Sequence, residues 1–259
     1  MLRVMVMTAA LLGLTLAGPG QAEVLRVAVA ANFTKTAQQL GRAWEARTGH
    51  AVRFAFASTG SLYHQISQGA PFDAFLAADT RRPQLLVDAG AALEDSLFVY
   101  AAGRIALYSR SLPVAAGGPQ VIRAMDYAHL AIASPKTAPY GRAARQVLQG
   151  LGVYRELASS GKLVQGSNIA ATFQYVATGN AQLGFVALSQ LLDPDSPMRG
   201  TGESWQPPAS AYDPIEQAAV ILARSRQPAL AAAFLDYLRR DPDARETIER
   251  FGYALPAAP

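Results

Sequence analysis

Residues 27–40 read VAVAANFTKTAQQL, and they hold a strand, a helix and the junction between them. Val27, Ala28 and Val29 are the apolar run of a buried strand. Phe33, Ala37, Leu40 and then Trp44 follow at i, i+4, i+7 and i+11, the period of a helix with one apolar face. The junction falls at Ala31-Asn32, small neutral residues where the first backbone N–H groups of a helix have no partner of their own. The same construction recurs at FAFASTGSLYHQI (54–66), IASPKTAPYGRAARQVL (132–148) and VQGSNIAATFQYVATG (164–179).

Outward from these junctions the chain alternates strand and helix. Strands are expected at Val24–Ala30, Val52–Ala57, Ala74–Ala78, Arg104–Tyr108, Leu130–Ser134, Leu183–Ala187 and Ala218–Ala223. Most are continuous apolar runs, as for strands covered on both faces. Ala144, Val147, Leu148 and Leu151 share one helix face, as do Ile169, Phe173, Val176 and Ala177. Gly49, Gly69, Gly152 and Gly179 mark helix ends. Two helices, Pro228–Arg240 and Pro242–Phe251, close the chain. The fold class is α/β. Residues 191–214, rich in Pro, Gly and Ser, read as a long surface loop. The break there and a second after Gly90 predict two lobes, one from 23–101 plus 214–259 and the other from 102–213. No sequence repeat is evident.

The chain has 259 residues, 51% apolar and 16% charged, which suits a globular protein with a substantial core. Its formal charge is +4. The basic residues are scattered, with no basic patch interleaved with aromatics, so nothing indicates a nucleic-acid partner. The pairs Arg81-Arg82 and Arg239-Arg240 read as solvated helix faces. At the N-terminus, Arg3, an apolar run from Val4 to Ala17 and Gly20-Gln21-Ala22 have the order of a secretory signal peptide at 1–22, cleaved after Ala22. The alternative is an uncleaved anchor. With no cysteine, the exported chain has no disulfides and no lipid-bearing cysteine after the signal.

The four junctions carry the functional reading. A helix N-terminus offers unpaired N–H groups and partial positive charge. In open α/β sheets ligands sit beyond the carboxyl ends of the strands. Two such ends fall in the first lobe (Asn32; Ser58-Thr59-Gly60) and two in the second (Tyr140-Gly141; Asn168-Ile169), and none carries a carboxylate. Taken singly, Asn32, Ser58, Thr59 and Asn168 are ordinary N-caps, and Tyr140 a core aromatic. Together they form a set of neutral donors suited to an oxyanion. A hydrogen phosphate would want an acceptor for its own proton, so the set favours a fully ionised dianion such as molybdate, tungstate or sulfate.

The segments VLRVAVAANF, FASTGSLYHQISQGAPFDAFLAAD, IASPKTAPYGRAARQVL, AQLGFVALSQL and YDPIEQAAVI resemble, in this order along nearly the whole mature chain, the periplasmic molybdate-binding proteins of ABC transporters. The resemblance implies the type II periplasmic-binding-protein fold, two α/β lobes with the anion in the cleft. It implies ligand contacts from Asn32, Ser58, Thr59, Tyr140 and the backbone N–H of Ile169. Thr59 is the principal contact of its pair, and Asn32 contributes its N–H and its amide. Where some members carry a tyrosine after the strand LGFV, this chain has Ala187, and Tyr140 is the candidate replacement. The resemblance further implies no cofactor and no catalytic residue, and metal only as oxyanion. The partners it implies are a membrane permease and an ATPase, and the location is the periplasm. A monomer is the default for such carriers.

Three rivals stand beside this reading. Ser58, His64 and Asp79 could be imagined as a hydrolytic triad, but no G-x-S-x-G elbow is present and His64 falls well along the helix that follows. Asp73 and Asp79, six residues apart, are expected to bind loop N–H groups rather than act as a pair. His50, His64 and His129 lack metal-ligand spacing. Sulfate, phosphate or an organic acid are alternative ligands, the last wanting an arginine that is not clearly placed. The effector lobe of a regulator is disfavoured by the signal peptide and by the lack of a helix-turn-helix.

Overall fold

The structure, a computed structural model, describes residues 23–196 and 198–256. The signal peptide read at 1–22 lies outside them. The first half runs β1 (Val24–Ala30), a single 3-10 turn (Ala31–Phe33), α1 (Thr34–Thr48), β2 (Ala51–Ala57), α2 (Thr59–Ser67), β3 (Ala74–Leu76), α3 (Arg81–Asp88) and β4 (Phe98–Gly103). The chain then crosses at Arg104 into β5 (Ile105–Ser109), α4 (Val114–Ala124), β6 (Leu130–Ala133), α5 (Pro139–Gly150), α6 (Tyr154–Ser159), β7 (Leu163–Gly166), α7 (Ile169–Ala177), β8 (Leu183–Ala187), α8 (Leu188–Leu192) and β9 (Glu203–Trp205). It returns through β10 (Ile215–Ile221), α9 (Pro228–Arg240) and α10 (Pro242–Arg250).

Two five-stranded sheets result, ordered β2-β1-β3-β10-β4 and β7-β6-β8-β5-β9. In each, one strand (β10; β5) runs antiparallel to the other four, pairing with the parallel set (β2, β1, β3; β7, β6, β8) on one side and with an edge strand (β4; β9) on the other. The two lobes thus share a topology that the sequence does not show as a repeat. Pairing of Ile215 with Gly103 keeps β4 in the first sheet to its last residue, so the first crossing is the single residue Arg104 between β4 and β5.

The strands form where β-rich apolar runs can be covered on both faces. Leu25, Val27, Val29, Ala74 and Leu76 pack against Phe33, Ala37, Leu40 and Trp44 of the turn and α1, and against Phe234 and Leu238 of α9. Phe33 stands edge-on to Tyr100 and Tyr253, with ring centroids 5.0 and 5.1 Å away. It thereby anchors the turn that follows β1. A fully buried aromatic of this kind contributes about 1.5–3 kcal/mol by area, and truncating it costs about 3–5 kcal/mol. Gly49 ends α1 at φ 73°, its N–H reaching the Glu45 carbonyl. Asp241 caps α10 by accepting from the N–H groups of Asp243 and Ala244.

Three strands escaped the sequence pattern. β7 is four residues at a sheet edge and half-exposed, so its Leu-Val-Gln-Gly lacks a buried apolar run. β9 has three residues, two of them exposed. β4 sits at the other sheet's edge and reads as the tail of a loop. The segment expected to be one long loop contains β9 and a 3-10 turn (Ala209–Ala211), and α8 reaches into its first residues. β10 starts three residues before its expected Ala218, because Ile215 and Gln217 both turn inward around exposed Glu216. Arg82 also differs from expectation. It is half-buried, and its guanidinium lies on Asp79 at 2.5 Å rather than in solvent.

Candidate functional site

Strand register brings the four junctions together. Ala30 pairs with Ala57 at the ends of parallel β1 and β2, so the 3-10 turn and α2 start side by side. Ala133 pairs with Gly166 at the ends of β6 and β7, so α5 and α7 also start side by side. Both pairs open toward the gap between the lobes. One buried cluster spans that gap: Ala31 and Ala78 from the first lobe with Ala138, Tyr140 and Ile169 from the second.

Each helix start has its own chemistry. At α2, the Ser58 side chain caps by accepting from Ser61 N–H. The Thr59 hydroxyl oxygen accepts from Ala78 N–H at 3.1 Å, which leaves its proton to donate elsewhere. At α7, the Asn168 side chain accepts from Ala171 N–H at 2.9 Å, and Ile169 supplies the leading amide. The other two starts have no side-chain cap: Ala30 precedes the 3-10 turn and Ala138 precedes α5. Pro139 at the head of α5 has no N–H, which makes the Tyr140 amide that helix's first donor. Gly141 is required there, because a Cβ would sit 2.1 Å from the Ala133 carbonyl oxygen. None of the four starts has an acidic residue in its first turn. Asn32, Ser58, Thr59, Tyr140 and Ile169 are all buried.

Behind the junctions lies a buried polar network. Asn32 Nδ2 donates to Gln217 Oε1 at 2.7 Å and to the Tyr253 hydroxyl at 3.2 Å. Tyr253 donates to the Asn32 carbonyl at 2.8 Å, and the Ser189 hydroxyl reaches the same carbonyl at 3.1 Å. Tyr100 donates to Gln217 Oε1 at 3.1 Å, and Gln217 Nε2 donates to the Tyr140 hydroxyl at 3.4 Å. Burial pushes the Tyr100 and Tyr140 phenols well up and Tyr253 to about 12, so all three keep their protons at neutral pH. Gln190 Nε2 adds a bond to the Ile169 carbonyl at 3.2 Å, tying α8 to the start of α7.

The lobes also touch directly. Gly60 N–H donates to the Thr137 carbonyl at 2.9 Å. Arg82 Nη2 donates to the Lys136 carbonyl at 3.2 Å, and Arg142 Nη2 lies 3.4 Å from Asp79 Oδ2. Two grooves open beside the junctions. One of about 380 Å³ is lined by Asp79, Arg142, Arg145 and Asp213, and one of about 360 Å³ by Asn32, Thr36, Phe173 and Ser189.

The structure therefore gathers all five sequence-derived residues at one interlobe region, in differing roles. The Asn32 amide, expected to face a ligand, is engaged by Gln217 and Tyr253, which leaves the residue's backbone N–H as its free donor. The Tyr140 phenol points at Gln217 and Gly103. The triad arrangement does not form: Ser58 Oγ lies 2.7 Å from Ser61 Oγ, and Asp79 is held by Arg82 and Arg142. Asp73 behaves as read, taking Arg26 N–H, Arg226 N–H and the Ser225 hydroxyl. Sequence reasoning missed Gln217, Tyr253, Tyr100 and Ser189. Gln217 alone left a signal, a polar residue inside the apolar run of β10.

Two lobes of matching topology thus have four neutral helix starts converging between them. The family model for "Bacterial extracellular solute-binding protein" matches residues 25–254. The chain belongs to this family. Among solute-binding proteins, it is 44% identical over 246 residues to the "Molybdate-binding protein ModA" of Rhodobacter capsulatus, covering 95% of this chain and 94% of that one. It is 45% identical over 240 residues to the protein of the same name from Azotobacter vinelandii, covering 93% of each. The solved "Azotobacter vinelandii periplasmic molybdate-binding protein" superposes with a TM-score of 0.85 at 37% identity, covering 90% of this chain and 99% of that one. The sulfate-binding protein SubI of Mycobacterium tuberculosis H37Rv shares the fold, with a TM-score of 0.76 at 12% identity. As a member of this family the chain is a transport binding protein and not an enzyme.

Proposed function

We propose that this chain captures molybdate, and tungstate equally, in the periplasm and delivers it to the permease and ATPase of an ABC transporter. The observation that carries the reading is the pair of uncapped helix starts. The Asn32 turn and α5 approach each other across the cleft, with neither a side-chain acceptor nor an acidic residue to use their N–H groups. The names of the relatives point to the same anion.

The anion is held by donors alone. Backbone N–H groups of Asn32, Tyr140 and Ile169 and the Thr59 hydroxyl surround it, and Ser58 shapes the start of α2. The helix ends supply partial positive charge without a counter-ion. In a site shut off from water each such bond strengthens. A fully ionised tetrahedral dianion accepts at every oxygen, whereas hydrogen phosphate brings a proton for which the ring of donors has no acceptor. Sulfate matches molybdate in charge and shape, so the ring's radius separates them, while tungstate is nearly isosteric with molybdate. Closure of the lobes completes the ring, and the closed form is what the permease recognises. The signal peptide at 1–22 exports the chain, which works as a monomer.

Calorimetric titration of the anion-free mature chain tests this. One-to-one binding of molybdate and tungstate, each at least about a hundredfold tighter than sulfate or phosphate (about 2.7 kcal/mol), is expected. Phosphate or sulfate binding as tightly as molybdate would overturn the ligand assignment.

A further inference from the structure

We infer that Gln217 is a positioning residue for anion binding, because its buried amide joins the Asn32 amide of one lobe to the Tyr140 phenol of the other. The inference rests on the oxyanion reading above. Gln217 is fully buried in β10, the strand by which the chain returns to the first lobe. Its orientation is dictated by its partners. Oε1 receives two donors, Asn32 Nδ2 at 2.7 Å and the Tyr100 hydroxyl at 3.1 Å. Nε2 is thereby turned toward the Tyr140 hydroxyl oxygen at 3.4 Å.

The consequence is a direction of hydrogen bonding. An amide presents a fixed acceptor and fixed donors. Because Nε2 donates to the phenol oxygen, the Tyr140 proton is turned away from Gln217 and toward the neighbouring Tyr253 phenol. Because Oε1 accepts from Asn32, the Asn32 amide is held back from the cleft and its turn is pinned with its N–H forward. Tyr253 and Ser189 hold the Asn32 carbonyl from the other side. Gln217 therefore fixes the Asn32 turn of the first lobe against Tyr140 at the start of α5 in the second, and with them the backbone N–H groups of both residues. Gly103 permits the approach: a Cβ there would meet the Tyr140 hydroxyl at 2.0 Å and Gln217 Nε2 at 2.8 Å.

A carboxyl at this position would reverse that direction of hydrogen bonding and add a titrating charge behind the anion. The titratable groups facing Gln217 are phenols: Tyr100 from β4, Tyr140 from α5, and Tyr253 beyond α10. All three are pushed upward by burial, and Glu216 beside it on the strand is exposed. Between about pH 6 and pH 9 only the introduced carboxyl would titrate among these, because burial raises a carboxyl toward that range.

The test is calorimetric titration of molybdate into wild type, Gln217→Glu, Gln217→Leu and Tyr140→Phe across that pH range, with thermal melts of each anion-free chain. Wild-type affinity is expected to be flat. Gln217→Glu should bind about 100-fold more weakly at the alkaline end and recover as pH falls and the carboxyl is neutralised. Gln217→Leu should lose about 10-fold at every pH, the scale of one hydrogen bond. Tyr140→Phe should lose a similar factor, and the Gln217→Leu/Tyr140→Phe double variant should lose less than the product of the two. If Gln217→Glu fails to fold, the Leu and Phe variants and their coupling decide alone. Wild-type affinity in Gln217→Glu at all pH values, or fully multiplicative losses in the double variant, would overturn the assignment to Gln217. Failure of wild type to bind any tetrahedral dianion would overturn the oxyanion reading itself.

Discussion

The backbone N–H of Gly60, at the start of α2, donates to the carbonyl of Thr137, just before α5, at 2.9 Å across the cleft. The contact joins the beginnings of two of the four helices that frame the candidate site. It depends on the absence of a side chain, since a Cβ on Gly60 would lie 3.0 Å from both the Cα and the carbonyl oxygen of Thr137. On the proposed reading, closure of the lobes and capture of the anion share this backbone contact.

Gly60→Ala is therefore expected to hold the lobes a few tenths of an ångström apart in the closed form. Overpacking of this kind costs about 1–3 kcal/mol, so molybdate affinity should fall about tenfold, mostly through faster release. Gly60→Val should lose more. The anion-free chain, free to stay open, should melt at nearly the wild-type temperature. Stopped-flow release rates and thermal melts measure the two effects separately.

The ion pair between Arg142 and Asp79 spans the same gap at 3.4 Å, but the Arg142 side chain is about one-third exposed (35%). Pairs exposed to this degree contribute about 0–1 kcal/mol and are screened by salt. Arg142→Gln should accelerate release less than about fivefold, and the difference from wild type should vanish near 1 M salt, where the Debye length is about 3 Å. Release rates measured over a salt series check this. Asp79→Asn removes the partner of half-buried Arg82 as well, so it should also lower the melting temperature of the anion-free chain.

Gly103→Ala places a methyl group 2.0 Å from the Tyr140 hydroxyl. The phenol must leave its place against Gln217, and stability should drop by about 1–3 kcal/mol. Chemical denaturation reads the loss. In the same variant molybdate affinity should fall, because the start of α5 shifts with Tyr140.

Alkaline pH should unfold the protein through its buried phenols. Tyr100, Tyr140 and Tyr253 all bind their protons more tightly folded than unfolded, because burial disfavours the phenolate. Their stabilisation is whole below the unfolded phenol value of about 10. The Tyr253 share is lost as pH rises from there through about 12, and the Tyr100 and Tyr140 shares are lost as pH rises through their own raised values. The melting temperature should fall steeply across that window, and Tyr253→Phe should make the fall shallower.

The junctions were legible because each combines two local signals, a buried apolar strand and the onset of a 3.6-residue period, around a small or hydroxyl residue. Asn32, Ser58-Thr59, Tyr140-Gly141 and Asn168-Ile169 could be picked out as junctions for that reason, while the choice of the contacting residue at each came from the family resemblance. The order of strands in the sheets is set by long-range pairing, and β4, β7 and β9 are too short or too exposed to show a period. The Asn32–Gln217–Tyr140 network joins residues 185 and 77 positions apart. Only a buried glutamine in an apolar strand hinted at it. Arg82 was misread because its carboxylate partner, Asp79, lies three residues before it at a helix start, a spacing common in solvated helices too.

The most direct test of the account is the position of the anion. Crystals of the mature chain grown with molybdate, measured at the molybdenum absorption edge, locate the metal without assumptions about the protein. The account predicts a single strong peak between the lobes, with anion oxygens about 2.7–3.2 Å from the backbone nitrogens of Asn32, Tyr140 and Ile169 and from the Thr59 hydroxyl. A peak elsewhere, or an anion held by arginine or lysine side chains instead of these donors, would contradict it.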